Sequence, residues 1–160
     1  MKKFITMMVV ALVAVSASAA SIDWYINLGR TGKLYDSTGT ALNGTIYLVL
    51  ADTTFNATTA EEFKAQLNAA TLGTDTVTSG KSSTSAVTAT DDRLVAKTSY
   101  DFAVVVYDTA KEVYYMTASN SAPAYTAGVD DAQQVTFTSS QYTAPSTWTP
   151  TYTAVPEPAS

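Results

Sequence analysis

Residues 101–119, DFAVVVYDTAKEVYYMTAS, hold two apolar runs separated by a short polar turn. Phe102–Tyr107 is almost unbroken apolar sequence, and Val113–Thr117 answers it. Runs of this length, rich in β-branched and aromatic residues, read as strands, and the pair reads as a hairpin. Asp108 suits the first position of a type I turn through DTAK. The turn lacks the Asn-Gly of a tight primed loop, so the register stays open.

Working outward, TIYLVLAD (45–52) is apolar on both faces and reads as a central strand. SIDWYINLG (21–29) alternates instead. Ile22, Trp24, Ile26 and Leu28 fall on one side, with Asp23, Tyr25 and Asn27 on the other, which is the pattern of a half-buried strand. A last strand is expected in QQVTFTSS (133–140), with Val135 and Phe137 inward. Shorter strands are expected near Lys33–Tyr35, Ala86–Thr90 and Leu94–Lys97, and TDTVTSGKSSTSA (74–86) reads as an exposed hairpin or loose loop.

TTAEEFKAQLNAATLG (58–73) has the signature of the one helix. Thr59 and Glu62 form a capping box, Ala60, Phe63, Leu67 and Ala70 make one apolar stripe, and Gly73 is the expected stop. The stripe is narrow, so the helix should lie on a sheet. The fold class is therefore mainly β: a single β-sandwich-like domain with one packed α-helix, over residues 20–139.

The 160 residues carry 46% hydrophobic and 14% charged side chains, a globular balance. There is no His and no Cys. That excludes a Ser-His-Asp triad, His- or Cys-ligated zinc, a thiol nucleophile and disulfides. No cofactor is expected. The carboxylate pairs Glu61-Glu62, Asp91-Asp92 and Asp130-Asp131 lack the opposed geometry of a glycosidase and the spacing of a calcium loop, so they read as cap and turn acids. The expectation is a protein that is not an enzyme. The net charge of −5 and the lack of a basic run argue against nucleic acid.

Residues 1–19 read as a signal peptide. A Lys2-Lys3 head precedes an apolar run from Phe4 to Val15 that is too short for a bilayer span, and Ala17-Ser18-Ala19 is an A-x-A cleavage site, with cleavage expected after Ala19 and Ala20 as the alternative. Export past signal peptidase follows, to the cell-envelope surface or the extracellular space. NGT at Asn43 and NAT at Asn56 match the glycosylation acceptor pattern, but the leader has a bacterial layout and the pattern carries little weight.

Beyond Ser139 the chain turns Pro- and Thr-rich, and residues 140–154 read as a partly extended tail. Residues 155–160, VPEPAS, resemble the opening of the PEP-CTERM sorting signal of exported bacterial proteins. Val155, Pro156, Glu157 and Pro158 match its signature. The resemblance implies a transmembrane helix and an Arg-rich end after the motif, processing by an exosortase, and a surface or extracellular-matrix destination often linked to exopolysaccharide. Neither helix nor Arg cluster follows within the sequence; the expectation is that they lie beyond Ser160, with unanchored secretion as the alternative. The implied partners are signal peptidase, exosortase, and exopolysaccharide or other surface proteins. A secreted carbohydrate-binding module is the alternative function, with Tyr25, Tyr114 and Trp148 as ligand-contact aromatics. Trp24 is better assigned to the core. Tyr114 and Tyr115 point to opposite faces, so one is expected buried and one exposed.

Overall fold

The computed structural model describes residues 19–108, 112–117 and 119–143. It is mainly β, with two sheets packed together and one helix. The chain runs β1 (Ala20–Asn27), β2 (Gly44–Leu50), α1 (Ala60–Ala70), β3 (Gly73–Val77), β4 (Val87–Asp91), β5 (Ser99–Asp108), β6 (Val113–Thr117), β7 (Asn120–Pro123), β8 (Gln134–Thr138) and β9 (Tyr142–Thr143). The smaller sheet has the order β4-β1-β8, with β1 antiparallel to β4 and parallel to β8. The larger has the order β3-β2-β5-β6-β9, and β7 pairs with the first half of β5.

Alternation along β5 organises both cores. Phe102, Val104 and Val106 face the small sheet, where they meet Ile22, Trp24 and Ile26 of β1 and Val135 and Phe137 of β8. Ala103, Val105 and Tyr107 face the other way, onto Phe63 and Leu67 of α1 and onto Phe55. Strand β2 divides in the same manner, Ile46 and Leu48 to one core and Tyr47 and Val49 to the other. The order of layers is therefore sheet, sheet, helix.

The helix begins as its sequence predicts. Thr59 Oγ1 accepts from the Glu62 amide at 3.2 Å. The returning bonds go one residue further out: the Glu62 carboxylate takes the Thr58 amide and hydroxyl, each at 2.8 Å. The helix ends at Ala70, three residues before Gly73. Its C-cap is Thr71, in extended conformation, whose amide donates to the Leu67 carbonyl. Gly73 instead opens β3, where a Cβ would stand 2.9 Å from that of Ala89 and 3.5 Å from the Trp24 indole nitrogen.

The last turn of α1 has no basic residue of its own. Arg93, just past β4, supplies one from a distant part of the chain. Its guanidinium donates to the carbonyls of Ala70 at 3.0 Å and Thr71 at 2.6 Å, and clasps Asp91 with two 2.7 Å bonds. A cation at the C-terminal carbonyls complements the helix dipole, and the planar fork holds the carboxylate in one geometry.

Several local expectations are corrected. Of the two readings of 74–86 the hairpin holds, and its first residues form β3, an edge strand with Thr74 and Thr76 exposed and Asp75 half-buried on the same face as Val77. Leu94–Lys97 is not a strand. Leu94 is a buried anchor, the Thr98 amide bonds back to the Val95 carbonyl, and Lys97 sits at a φ of 64°. Tyr114 and Tyr115 are both buried, because the central sheet is covered on both faces. Tyr35 forms an isolated bridge with Ala41 rather than part of a strand. The large sheet continues past Ser139 to Thr143, which pairs with Met116. The DTAK turn falls largely on residues 109–111, outside the described residues. Among the described residues no helix is long and apolar enough to cross a membrane.

Phe63 is fully buried, with ring contacts to Tyr114 at 4.4 Å and Phe55 at 5.0 Å. Phe63→Ala should cost about 3–5 kcal/mol in urea unfolding, whereas Glu61→Ala, on the exposed face, should change stability by less than about 0.5 kcal/mol. Hydrogen bonding by the Arg93 side chain holds the Asp91 carboxyl below its ordinary value of 3.8. A depressed carboxyl contributes stability that is present above that value and lost as pH falls through the lower folded-state value. Asp91→Asn should therefore lower the melting temperature at neutral pH and narrow its fall below pH 3.8, measured by thermal melts across that window.

Candidate functional site

Strand β1 places Trp24 inward and Tyr25 outward, as its alternation requires. Among the described residues no helix or sheet covers the outer face of the small sheet, although Tyr125 buries its Ser21 end. Asp23 on that face accepts from the Tyr125 hydroxyl at 2.9 Å and the Thr88 hydroxyl at 2.7 Å. Burial, and then the Asp23 carboxylate, push the Tyr125 phenol up from its ordinary value. Two residues further along, half-buried Tyr25 opens a groove of about 380 Å³. That is toward the lower end of the roughly 300–1,000 Å³ typical of small-ligand sites.

The groove is built from segments far apart in sequence. One wall is the end of β1 and the turn after it, Tyr25 to Gly32; the other is Lys81–Thr84. Gly32 closes the turn against β1, and a Cβ there would sit 1.9 Å from the Leu28 carbonyl oxygen, so only glycine fits. The second wall is delivered by a two-residue hairpin. The Thr78 and Lys81 backbones exchange hydrogen bonds at 2.9 and 3.0 Å, and Ser79 and Gly80 between them have φ of 49° and 78°. Two successive positive φ values match the twist of a hairpin of this length. The Lys81 ammonium then donates to the Arg30 carbonyl at 3.2 Å, and the Ser82 hydroxyl to the Ile26 carbonyl at 3.4 Å, joining the two walls.

The lining mixes an aromatic ring, the apolar flanks of Ile26 and Leu28, the hydroxyls of Ser82, Ser83 and Thr84, the Asn27 amide, and two cations, Arg30 and Lys81. Asn27 Oδ1 accepts from the Gly29 amide at 3.1 Å. Such a surface can stack on a flat apolar face while exchanging hydrogen bonds around its rim.

Of the two predicted contact aromatics among the described residues, Tyr25 lines this site and Tyr114 does not. Tyr114 is a correction: it lies buried beneath α1, against Phe63 and with its ring 5.1 Å from that of Tyr107, because the helix seals that face. Trp148, Ala17 and the sorting motif Val155, Pro156, Glu157 and Pro158 lie outside the described residues. Ala19 is half-buried, immediately before β1. One member of each carboxylate pair has a structural partner: Glu62 in the cap, Asp91 with Arg93, and Asp130 with the Thr126 amide and Lys97. Asn43 is engaged with the Ser79 amide at 2.8 Å, and Asn56 with Gln66 at 2.7 Å. Among the described residues no group of three or more acidic side chains is placed to hold a metal ion. Sequence reading missed Arg30, Lys81 and Ser82–Thr84; the Ser79-Gly80 pair was the signal that could have folded their segment back. No known protein family, curated protein or solved structure matches this chain.

Proposed function

We propose that the chain is an exported bacterial surface or extracellular-matrix protein. It is not an enzyme; its β domain acts by display and association. Signal peptidase would remove residues 1–19, and Val155–Pro158 would direct the protein to an exosortase. Support comes from the position of β1. Its first residue, Ala20, is wholly buried, and it directly follows the A-x-A site. Cleavage after Ala19 therefore removes the leader without touching a strand residue.

A second reading is favoured by one observation: Tyr25 lines a groove rimmed by hydroxyl, amide and cationic groups. On this reading the displayed domain binds carbohydrate there, with the Tyr25 ring against the sugar's apolar face.

The sorting proposal is tested in the native bacterium with the gene carrying or lacking the codons for Val155–Pro158. Surface retention should drop on deletion, and equal retention would sink the proposal. The binding reading is tested with mature protein on immobilised polysaccharides. Tyr25→Ala should weaken retention about fivefold or more, the effect expected for loss of one stacking contact of about 1 kcal/mol, with an unchanged melting curve.

A further inference from the structure

We propose that the groove beside Tyr25 takes an acidic, carboxylate-bearing glycan in preference to a neutral one. The proposal rests on the carbohydrate reading of that groove and names its ligand class.

The distribution of charge carries it. The whole chain is acidic, at −5. Its described cations are Arg30, Lys33, Lys64, Lys81, Arg93 and Lys97. Arg93 and Lys97 are paired with Asp91 and Asp130. Lys64 lies over the Tyr107 ring at 5.6 Å, on the helix side. The other three gather at one place. Arg30 and Lys81 line the groove. Lys33 stands next to the hairpin that carries Lys81, its Cβ 2.9 Å from where a Gly80 Cβ would be. Among the described residues none of these three has a carboxylate within 4.0 Å. All three are exposed.

The carboxylates in the adjoining segments are held by amide and hydroxyl donors rather than by these cations. Asp75 accepts the Ser83 amide at 3.0 Å and the Thr76 amide at 2.8 Å. Asp23 holds Tyr125 and Thr88, and Asp36 holds the Thr38 and Thr40 amides at 2.9 Å. The groove lining holds two cations and no acidic side chain, in a chain that is acidic overall, and a concave surface concentrates such a field. A neutral sugar would use the ring and hydroxyls but gain nothing from three uncompensated cations. A uronate presents a flat apolar ring face to Tyr25 and a carboxylate to Arg30, whose planar guanidinium matches it. The Lys81 ammonium, anchored on the Arg30 carbonyl, fixes the second positive charge in the same mouth.

The test is titration calorimetry of the mature chain with short oligogalacturonates and with neutral cello-oligosaccharides of equal length. Three proteins are compared: wild type, Arg30→Gln/Lys81→Gln, and Tyr25→Ala, each checked for an unchanged melting curve. Wild type should bind the acidic series more tightly. The double variant should lose about fivefold to tenfold for the acidic series and stay unchanged for the neutral one. Added salt should weaken only acidic binding. Equal binding of both series, lost only with Tyr25→Ala, overturns the acidic preference and leaves the carbohydrate reading standing. Acidic binding that ignores the double variant overturns the placement of the site. Binding of neither series overturns both.

Discussion

Strand β5 is apolar on both faces and must be covered twice. That requirement sets the architecture. One covering is the small sheet, contributing Ile22, Trp24, Val135 and Phe137; the other is the single helix with Phe63 and Leu67. A half-buried sheet would satisfy one face and leave Ala103, Val105 and Tyr107 in water, with the cost that falls on any contiguous apolar surface of that size. The middle layer is thereby the most protected part of the molecule, and the outer layers differ in kind. The helix turns a polar face to solvent. The small sheet turns out a polar face of Asp23, Tyr25, Thr88 and Thr136, on which Asp23 is held by Tyr125 and Thr88.

How much of this was legible follows the reach of each signal. The period-two pattern of β1, the two-faced apolar runs of β2 and β5, and the cap and stripe of α1 are local, and each appears where the sequence placed it. What failed was set by neighbours. Tyr114 looks like half of an alternating pair with one exposed member, but alternation assigns only the face, and here both faces are covered. Strands β3 and β7 are short edges whose polar residues carry no hydrophobic period. Leu94 looks like the start of a strand because one buried residue and one β-branched neighbour cannot distinguish a strand from an anchored turn. Gly73 looks like a helix stop, yet it is required by close packing against Ala89.

The groove was half legible for the same reason. Tyr25 follows from the alternation of β1 alone. Arg30 and Lys81 are 51 residues apart, and their meeting depends on the Ser79-Gly80 turn and the tight Leu28–Gly32 bend. Neither carries a motif that names its partner. Charge counting over the whole chain conceals the site as well, since a net acidic balance averages away a cationic corner. The Arg93 clasp is hidden in the same way: a helix without a basic last turn gives no hint that one will be borrowed from across the fold.

The parallel pairing of β1 with β8 bears on the order in which the chain can become native. Residue 24 lies opposite residue 135, so the strand that is made first waits for nearly the last one before its second edge is closed. A contact so distant along the sequence carries a large loop-closure cost and belongs late in folding. Strand β1 can meanwhile pair with β4, bridge Tyr125 and pack on β5, but the small sheet stays open until residues 134–138 are free. A chain delivered with its N-terminus leading thus keeps the small sheet incomplete until residues 134–138 follow. Having no disulfides to form, it can then close without an oxidation step.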